Sequence, residues 1–142
     1  MRILALDVGD VYIGVAVSDP LEITAQALPT IKRTTLEEDL KKVLGFLSSL
    51  EVKEIVIGLP RTLKGNASLQ TEKVKKFAQA LRERVSLPVT FFDERFTTNM
   101  ALRQLYLGNE KPSRKKGLAD KVSAVIILQD YLNSIKLRSP DV

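Results

Sequence analysis

Cysteine and histidine are both absent from this sequence of 142 residues. Their absence excludes thiol nucleophiles, Ser–His dyads, imidazole general bases and zinc sites built from Cys and His. Any catalysis must therefore use carboxylates, hydroxyls, lysine, arginine or tyrosine. Since only oxygen ligands remain, we expect a bound metal ion to be a hard cation such as Mg²⁺ or Mn²⁺.

Long apolar runs are absent as well. No stretch approaches the ~18 apolar residues of a membrane-spanning helix. The first ten residues, MRILALDVGD, contain a short apolar run broken by Asp7 and lack the pattern of a secretory signal. We therefore expect a soluble, cytoplasmic protein with no membrane partner.

The length and the charge suit one basic domain. A domain usually has about 100 to 150 residues, so we predict a single domain over residues 1–137 and a disordered tail over residues 138–142. The 22 Lys and Arg exceed the 17 Asp and Glu, giving a net charge of +5. This charge favours polyanionic partners such as nucleic acids.

The hydrophobic pattern predicts an α/β fold. Apolar runs and β-branched residues predict five strands, at residues 2–8, 12–18, 22–31, 54–60 and 89–92. Helical spacing predicts four helices, from Thr34 or Thr35 to about Leu47, from Asn66 or Ser68 to about Val85, from about Thr98 to Leu107, and from about Leu118 to Ile135. The order indicates a five-stranded mixed sheet flanked by helices, with a three-strand antiparallel meander and two parallel strands. This pattern resembles the ribonuclease H-like fold.

Asp7 is anomalous in the first strand. It is in register with Ile3 and Ala5, where the alternation would otherwise place a hydrophobic residue. Burying an unpaired carboxylate is costly, so Asp7 must be paired, hydrogen-bonded by turn amides or bound to metal. The plainer alternative is that Asp7 and Gly9 only shape the hairpin.

Asp120 is a similar anomaly in the last predicted helix. It shares a helical face with Ala124, Ile127 and Tyr131. The alternative is that Asp120 caps the helix, because acidic residues are favoured near a helix start.

The segment DERFTT at residues 93–98 directly follows the fifth predicted strand. Parallel strands have their sites just beyond their carboxyl ends, so we expect Glu94 to lie near Asp7. Thr97 and Thr98 offer hydroxyls at a helix N-terminus, which is a natural phosphate site. The alternative is an ordinary solvated turn with a threonine cap.

Taken together, three acids from distant parts of the chain are expected at one end of the sheet. Clustered carboxylates repel unless they are protonated or bridged by cations. Two Mg²⁺ or Mn²⁺ ions about 3.5 to 4 Å apart would neutralise them and serve the in-line cleavage of a phosphodiester. We therefore predict that Asp7, Glu94 and Asp120 are both the catalytic residues and the metal ligands.

Several basic residues are expected around the same end of the sheet. The candidates for contact with a nucleic-acid backbone are Arg61, Lys64, Arg95, Arg114, Lys115 and Lys116, together with the hydroxyls of Thr97 and Thr98. No aromatic residue is interleaved with the charges of the two loops, which favours backbone contact over base stacking. The alternative is that these loops are only solvated.

Four blocks of the sequence resemble the YqgF/RuvX family in their order and spacing. They are LALDVGDVYIGVAVSDP at 4–20, IVIGLPRTLKGNAS at 55–68, FFDERFTTNMA at 91–101 and ADKVSAVIILQDYL at 119–132. The family is described both as Holliday junction resolvases and as nucleases that mature the precursor of small-subunit ribosomal RNA. The resemblance implies a ribonuclease H-like fold and an acidic triad at Asp7, Glu94 and Asp120. One departure is that Val11 and Tyr12 stand where the family commonly has basic residues, so a phosphate contact is expected to be absent there.

The leading hypothesis is a metal-dependent nuclease that processes the 5′ end of precursor 16S ribosomal RNA, with ribosome-assembly particles as further partners. A second hypothesis is Holliday junction resolution in DNA, which needs a symmetric dimer. The sequence shows no obvious dimer seam, and both monomer and dimer stay open. A third alternative is an actin-like phosphotransferase. Such an enzyme closes two domains over a nucleotide, which one short domain cannot do. A non-catalytic ribosome-assembly factor is the last alternative, and the intact triad counts against it.

Overall fold

The computed structural model describes residues 1–59, 69–93 and 123–135. Five strands lie in this part of the chain: β1 (Arg2–Val8), β2 (Tyr12–Ser18), β3 (Ala25–Lys32), β4 (Val52–Leu59) and β5 (Val89–Asp93). It also contains the helices α1 (Leu36–Ser49) and α2 (Leu69–Arg82) and a third, α3, at residues 123–135. No helix among these residues is long and apolar enough to cross a membrane.

The five strands form one mixed sheet in the order β3-β2-β1-β4-β5. β1, β2 and β3 pair antiparallel, whereas β4 pairs parallel with both β1 and β5. This arrangement confirms the predicted meander with two parallel strands. It also brings the carboxyl ends of β1, β4 and β5 to the same end of the sheet, which is called the carboxyl end below.

The two faces of the sheet are covered by different helices. Leu4 and Leu6 of β1 are fully buried in a cluster with apolar residues of α1 and α2. Ile3 and Ala5 point to the opposite face and are fully buried in a cluster with residues of α3, including Ala124. Each fully buried Leu or Ile contributes about 1.5 to 3 kcal/mol to stability, and exchanging the two faces of β1 would disrupt this packing. The alternation along β1 therefore determines which face each of its residues occupies.

Helix α1 begins where a threonine can cap it. The hydroxyl of Thr35 accepts a hydrogen bond from the backbone N–H of Glu38 at 3.2 Å, which satisfies one of the unpaired amides of the first turn. Of the two caps that the sequence allowed, the structure therefore uses Thr35. The helix buries Leu40 and Val43 against the sheet.

The third strand starts later than the predicted residue 22. The carboxylate of Asp19 accepts hydrogen bonds from the N–H groups of Ile23 at 2.7 Å and Thr24 at 2.8 Å, and Glu22 has a φ of 60°. These contacts hold the chain in a turn, so pairing begins only at Ala25. The predicted helix at 98–107, the first residues of the last predicted helix and the predicted tail at 138–142 lie outside the described residues.

Candidate active site at the carboxyl end of the sheet

Asp7 lies in the central strand, one residue before its end. It is partly buried and pairs with Gly14 of β2. Because Ile3 and Ala5 face α3, the side chain of Asp7 belongs to the same face. The predicted register of Asp7 is thus confirmed, and its carboxylate lies on the α3 side of the sheet.

Both neighbours of Asp7 in the sheet are glycines. Gly14 pairs with it on β2. On β4, Ile57 pairs with Leu6, so Gly58 is the next residue alongside Asp7. Neither glycine has a side chain, so neither adjacent strand covers the carboxylate at this level. The two neighbouring strands therefore contribute no side chain beside the carboxylate of Asp7.

The hairpin that follows Asp7 is anchored by Arg33. Its backbone N–H donates to the carbonyl of Val11 at 2.8 Å, and its Nη1 donates to the carbonyl of Gly9 at 2.9 Å. Its Nε forms an ion pair with Asp39 of α1 at 3.0 Å, and the Asp39 side chain is only 1% exposed. The guanidinium also lies 5.6 Å from the ring centre of Phe77. Arg33 thus ties the turn beside Asp7 to two helices.

Sequence reasoning missed this anchor. Asp39 is the third acid in the first turn of α1, after Glu37 and Glu38, and a helix start favours acids for its dipole alone. The one usable signal was the short spacing between Arg33 and Asp39 across the strand-to-helix connection.

Helix α3 is tied to the segment that leads into β3 through Gln129. The side-chain amide of Gln129 donates to the carbonyl of Ile23 at 3.1 Å and accepts from the N–H of Ala25 at 3.2 Å. Ala25 pairs with Ser18, whose hydroxyl accepts from the N–H of Ile3 at 2.9 Å. Gln129 therefore lies level with the amino end of β1.

The part of α3 before Gln129 lies over the interior of the sheet. Ala124, Ile127 and Leu128 are at most 1% exposed, whereas Asn133 is exposed. Leu132, which follows Gln129, is also 1% exposed, so residues on both sides of Gln129 pack on this face of the sheet. The shared helical face predicted for Ala124, Ile127 and Tyr131 is confirmed, because Ala124 and Ile127 are buried in the cluster with Ile3 and Ala5 and Tyr131 packs against it.

Asp7 is the one predicted site residue that the structure describes. The others lie outside the described residues: Glu94, Asp120, Arg61, Lys64, Arg95, Thr97, Thr98, Arg114, Lys115 and Lys116. Within the ranges 1–59, 69–93 and 123–135, no group of three or more acidic side chains is placed to hold a metal ion. The convergence of the triad therefore remains a prediction.

The sheet order and the flanking helices define a ribonuclease H-like fold, which solved structures of other proteins share. Thermus thermophilus RuvC in complex with a Holliday junction substrate superposes with a TM-score of 0.59 at 15% identity, covering 97% of this chain and 95% of that one. The Fowlpox virus resolvase in complex with Holliday junction DNA superposes with a TM-score of 0.58 at 13% identity, covering 95% and 99%. At such identities the likeness shows the fold alone.

The amino-acid sequence shows the family within this class. The RuvX family, described as Holliday junction resolvase, matches residues 1–134. A relative from Clostridium acetobutylicum named "Putative pre-16S rRNA nuclease" is 44% identical over 135 residues, which cover 95% of this chain and 100% of the relative. A relative of the same name from Caldanaerobacter subterraneus subsp. tengcongensis is 44% identical over 137 residues, covering 96% and 99%. The chain therefore belongs to the RuvX family, as its four sequence blocks predicted.

Proposed function

We propose that this chain is a divalent-metal-dependent nuclease of the cytoplasm that processes the 5′ end of precursor 16S ribosomal RNA. Its family and the names of its relatives support a hydrolase that acts on nucleic acid. The observation that carries the proposal is the position of Asp7. A partly buried carboxylate lies one residue before the end of the central strand, between two glycines and on a face where every earlier residue of that strand is apolar.

The path of α3 supports a meeting of Asp7 and Asp120. Gln129 lies level with Ile3. From Ile3 to Asp7 a strand advances about 13 Å, and a helix rising about 1.5 Å per residue needs about nine residues for the same advance. Counting back nine residues from Gln129 reaches position 120. We infer that α3 runs antiparallel to β1, and a continuation of the helix along that axis would bring Asp120 level with Asp7 on the same face of the sheet.

The end of β5 supports Glu94 as the third acid. The last pair between β4 and β5 joins Leu59 to Asp93, and Glu94 is the next residue in the chain. β5 lies two strands from β1, which is about 10 Å across the sheet. Carboxylates that approach from both sides can span this distance with cations between them.

The donor set fits hard cations, since Asp7 is a carboxylate and the chain contains no Cys or His. Asp7, Glu94 and Asp120 would hold the ions, and Mg²⁺ or Mn²⁺ would supply an activated water and stabilise the leaving oxygen. Arg61, Lys64, Arg95, Arg114, Lys115 and Lys116, with the hydroxyls of Thr97 and Thr98, would contact the backbone of the substrate.

The test compares the purified protein with its Asp7→Asn variant on two labelled substrates in Mn²⁺ or Mg²⁺. One substrate is a precursor 16S ribosomal RNA leader, and the other is a synthetic four-way DNA junction, because the family description names junction resolution. Glu51→Gln is the control, since it removes an exposed carboxylate beside β4 at the opposite end of the sheet.

Cleavage of the RNA that is lost in Asp7→Asn and kept in Glu51→Gln would support the proposed nuclease. Symmetric cuts in the junction alone would assign the chain as a resolvase instead. Binding without cleavage of either substrate would point to a ribosome-assembly factor, and full cleavage by Asp7→Asn would contradict the role of the acid.

A further inference from the structure

A cleft of about 440 Å³ lies beside the first hairpin, on the side of the sheet that α1 and α2 cover. Three of its lining residues are cations, namely Arg33, Lys73 and Lys76, and two are carboxylates, Asp10 and Asp39. The cleft therefore has charged walls contributed by the hairpin, by the connection from β3 to α1, by α1 and by α2.

The charged residues of this cleft differ in how strongly they are paired within the protein. Asp39 is buried and receives both the Arg33 guanidinium at 3.0 Å and the N–H of Thr34 at 3.1 Å, so its charge is compensated inside the protein. Lys73 pairs with Asp10 at 3.3 Å, but their side chains are 51% and 61% exposed. Such a pair contributes about 0 to 1 kcal/mol, so another anion can readily replace it.

Lys76 differs from the other two cations. In the described part of the chain its ammonium forms no ion pair, and the side chain is exposed at the mouth of the cleft. Lys73 and Lys76 lie three residues apart on α2, so they are neighbours on one helix face. The cleft thus offers two adjacent ammonium groups to an anionic ligand.

The cleft lies at the same end of the sheet as Asp7 but on the opposite face, because the Asp7 carboxylate belongs to the α3 side. Asp10 follows Asp7 by three residues, so their Cα atoms lie at most about 11 Å apart. The hairpin residues between β1 and β2 include no Lys or Arg. Among the residues that the structure describes, α2 and the connection after β3 place cations beside the hairpin.

We propose that this cleft binds a backbone phosphate of the nucleic-acid substrate, with the ammonium groups of Lys73 and Lys76 as its contacts. Arg33 is held by Asp39, Gly9 and Phe77 and forms part of the wall, with its charge compensated by Asp39. The choice of ribosomal RNA precursor as the nucleic acid rests on the proposed function. The phosphate contact itself follows from the charges and position of the cleft.

The experiment measures binding of the labelled precursor leader over a series of salt concentrations, without divalent metal so that no cleavage occurs. The variants are Lys73→Ala and Lys76→Ala. Lys75→Ala is the matched control, because Lys75 is exposed on the same helix and does not line the cleft. Loss of one phosphate contact on a single strand lowers the slope of log K against log salt by about 0.7.

We expect Lys73→Ala and Lys76→Ala each to weaken binding several-fold and to lower the slope, while Lys75→Ala leaves the slope unchanged. Asp10→Asn should tighten binding, because it removes the anion that competes for Lys73. Equal weakening by Lys75→Ala would show an effect of net charge alone and overturn the proposal. Unchanged binding in both cleft variants would overturn it too.

The failure of this proposal is distinguishable from a failure of the proposed nuclease. With metal present, Lys76→Ala should raise KM for the RNA and leave kcat unchanged, whereas Asp7→Asn should abolish kcat and keep RNA binding. If Asp7→Asn cleaved normally while the cleft variants still lost affinity, the catalytic role of Asp7 would be contradicted and the phosphate contact in the cleft would stand.

Discussion

Asp39 forms an ion pair with Arg33 at 3.0 Å. The sequence places it among three acids at the start of α1, but Glu37 and Glu38 are exposed and Asp39 is 1% exposed against Arg33. Asp39→Asn would leave a largely buried guanidinium without its counter-charge, which costs about 3 kcal/mol. We expect the urea midpoint of unfolding to fall accordingly at neutral pH.

The control for this change is Glu38→Gln. Glu38 pairs with Lys41 at 3.5 Å, and both side chains are more than half exposed. Such a pair contributes less than about 0.5 kcal/mol. Similar losses in the two variants would contradict the view that the Arg33 and Asp39 pair holds the hairpin.

Asp19 gives a pH-dependent prediction. The N–H of Thr24, joined by those of Ile23 and Leu21, holds the pKa of Asp19 below its ordinary value of 3.8. Because the pKa in the folded state is lowered, this carboxylate stabilises the fold above pH 3.8 and loses its contribution as the pH falls through the lowered value. We expect the difference in Tm between the wild type and Asp19→Asn to shrink between about pH 6 and about pH 2. A difference that stays constant over this range would contradict the assigned hydrogen bonds.

At the scale of elements, α3 covers the face of the sheet to which Ile3, Ala5 and Asp7 belong. Ile127 is 1% exposed in the cluster that also contains Ile3 and Ala5. Ile127→Ala should cost about 2 to 5 kcal/mol, measured by urea unfolding, whereas Asn133→Ala on the exposed side should have little effect. An equally small loss for Ile127→Ala would mean that α3 packs more loosely than its burial indicates.

Period-two and helical patterns predicted most of the elements. The bounds of β1 and β2 agree with the prediction, because β1 is a nearly continuous apolar run and both strands end in polar turns. The start of β3 was wrong, since the hydrogen bonds of Asp19 extend the turn to Thr24. Alternation alone therefore cannot locate a strand end that a side chain in the preceding turn determines.

The sequence predicted those features of the candidate site that depend on a single strand or helix. The face of Asp7 follows from alternation within β1. The glycines beside it, Gly14 and Gly58, depend on the pairing register of three strands, which the sequence does not specify. The cleft was not predicted, because Arg33 and Lys76 come from different elements and only the fold brings them to one place.

At the scale of the whole molecule, the proposed acidic site predicts a link between metal binding and stability. Without metal, clustered carboxylates repel and oppose folding, while a cation that binds only the folded chain stabilises it by about 2.7 kcal/mol at 100 times its Kd. Mn²⁺ should therefore raise the Tm of the wild type, as followed by circular dichroism against a sample in EDTA. Asp7→Asn should melt above the wild type in EDTA, because one repelling charge is gone, and should gain much less from Mn²⁺. An equal gain in both proteins would show that Asp7 is not a ligand of the ion.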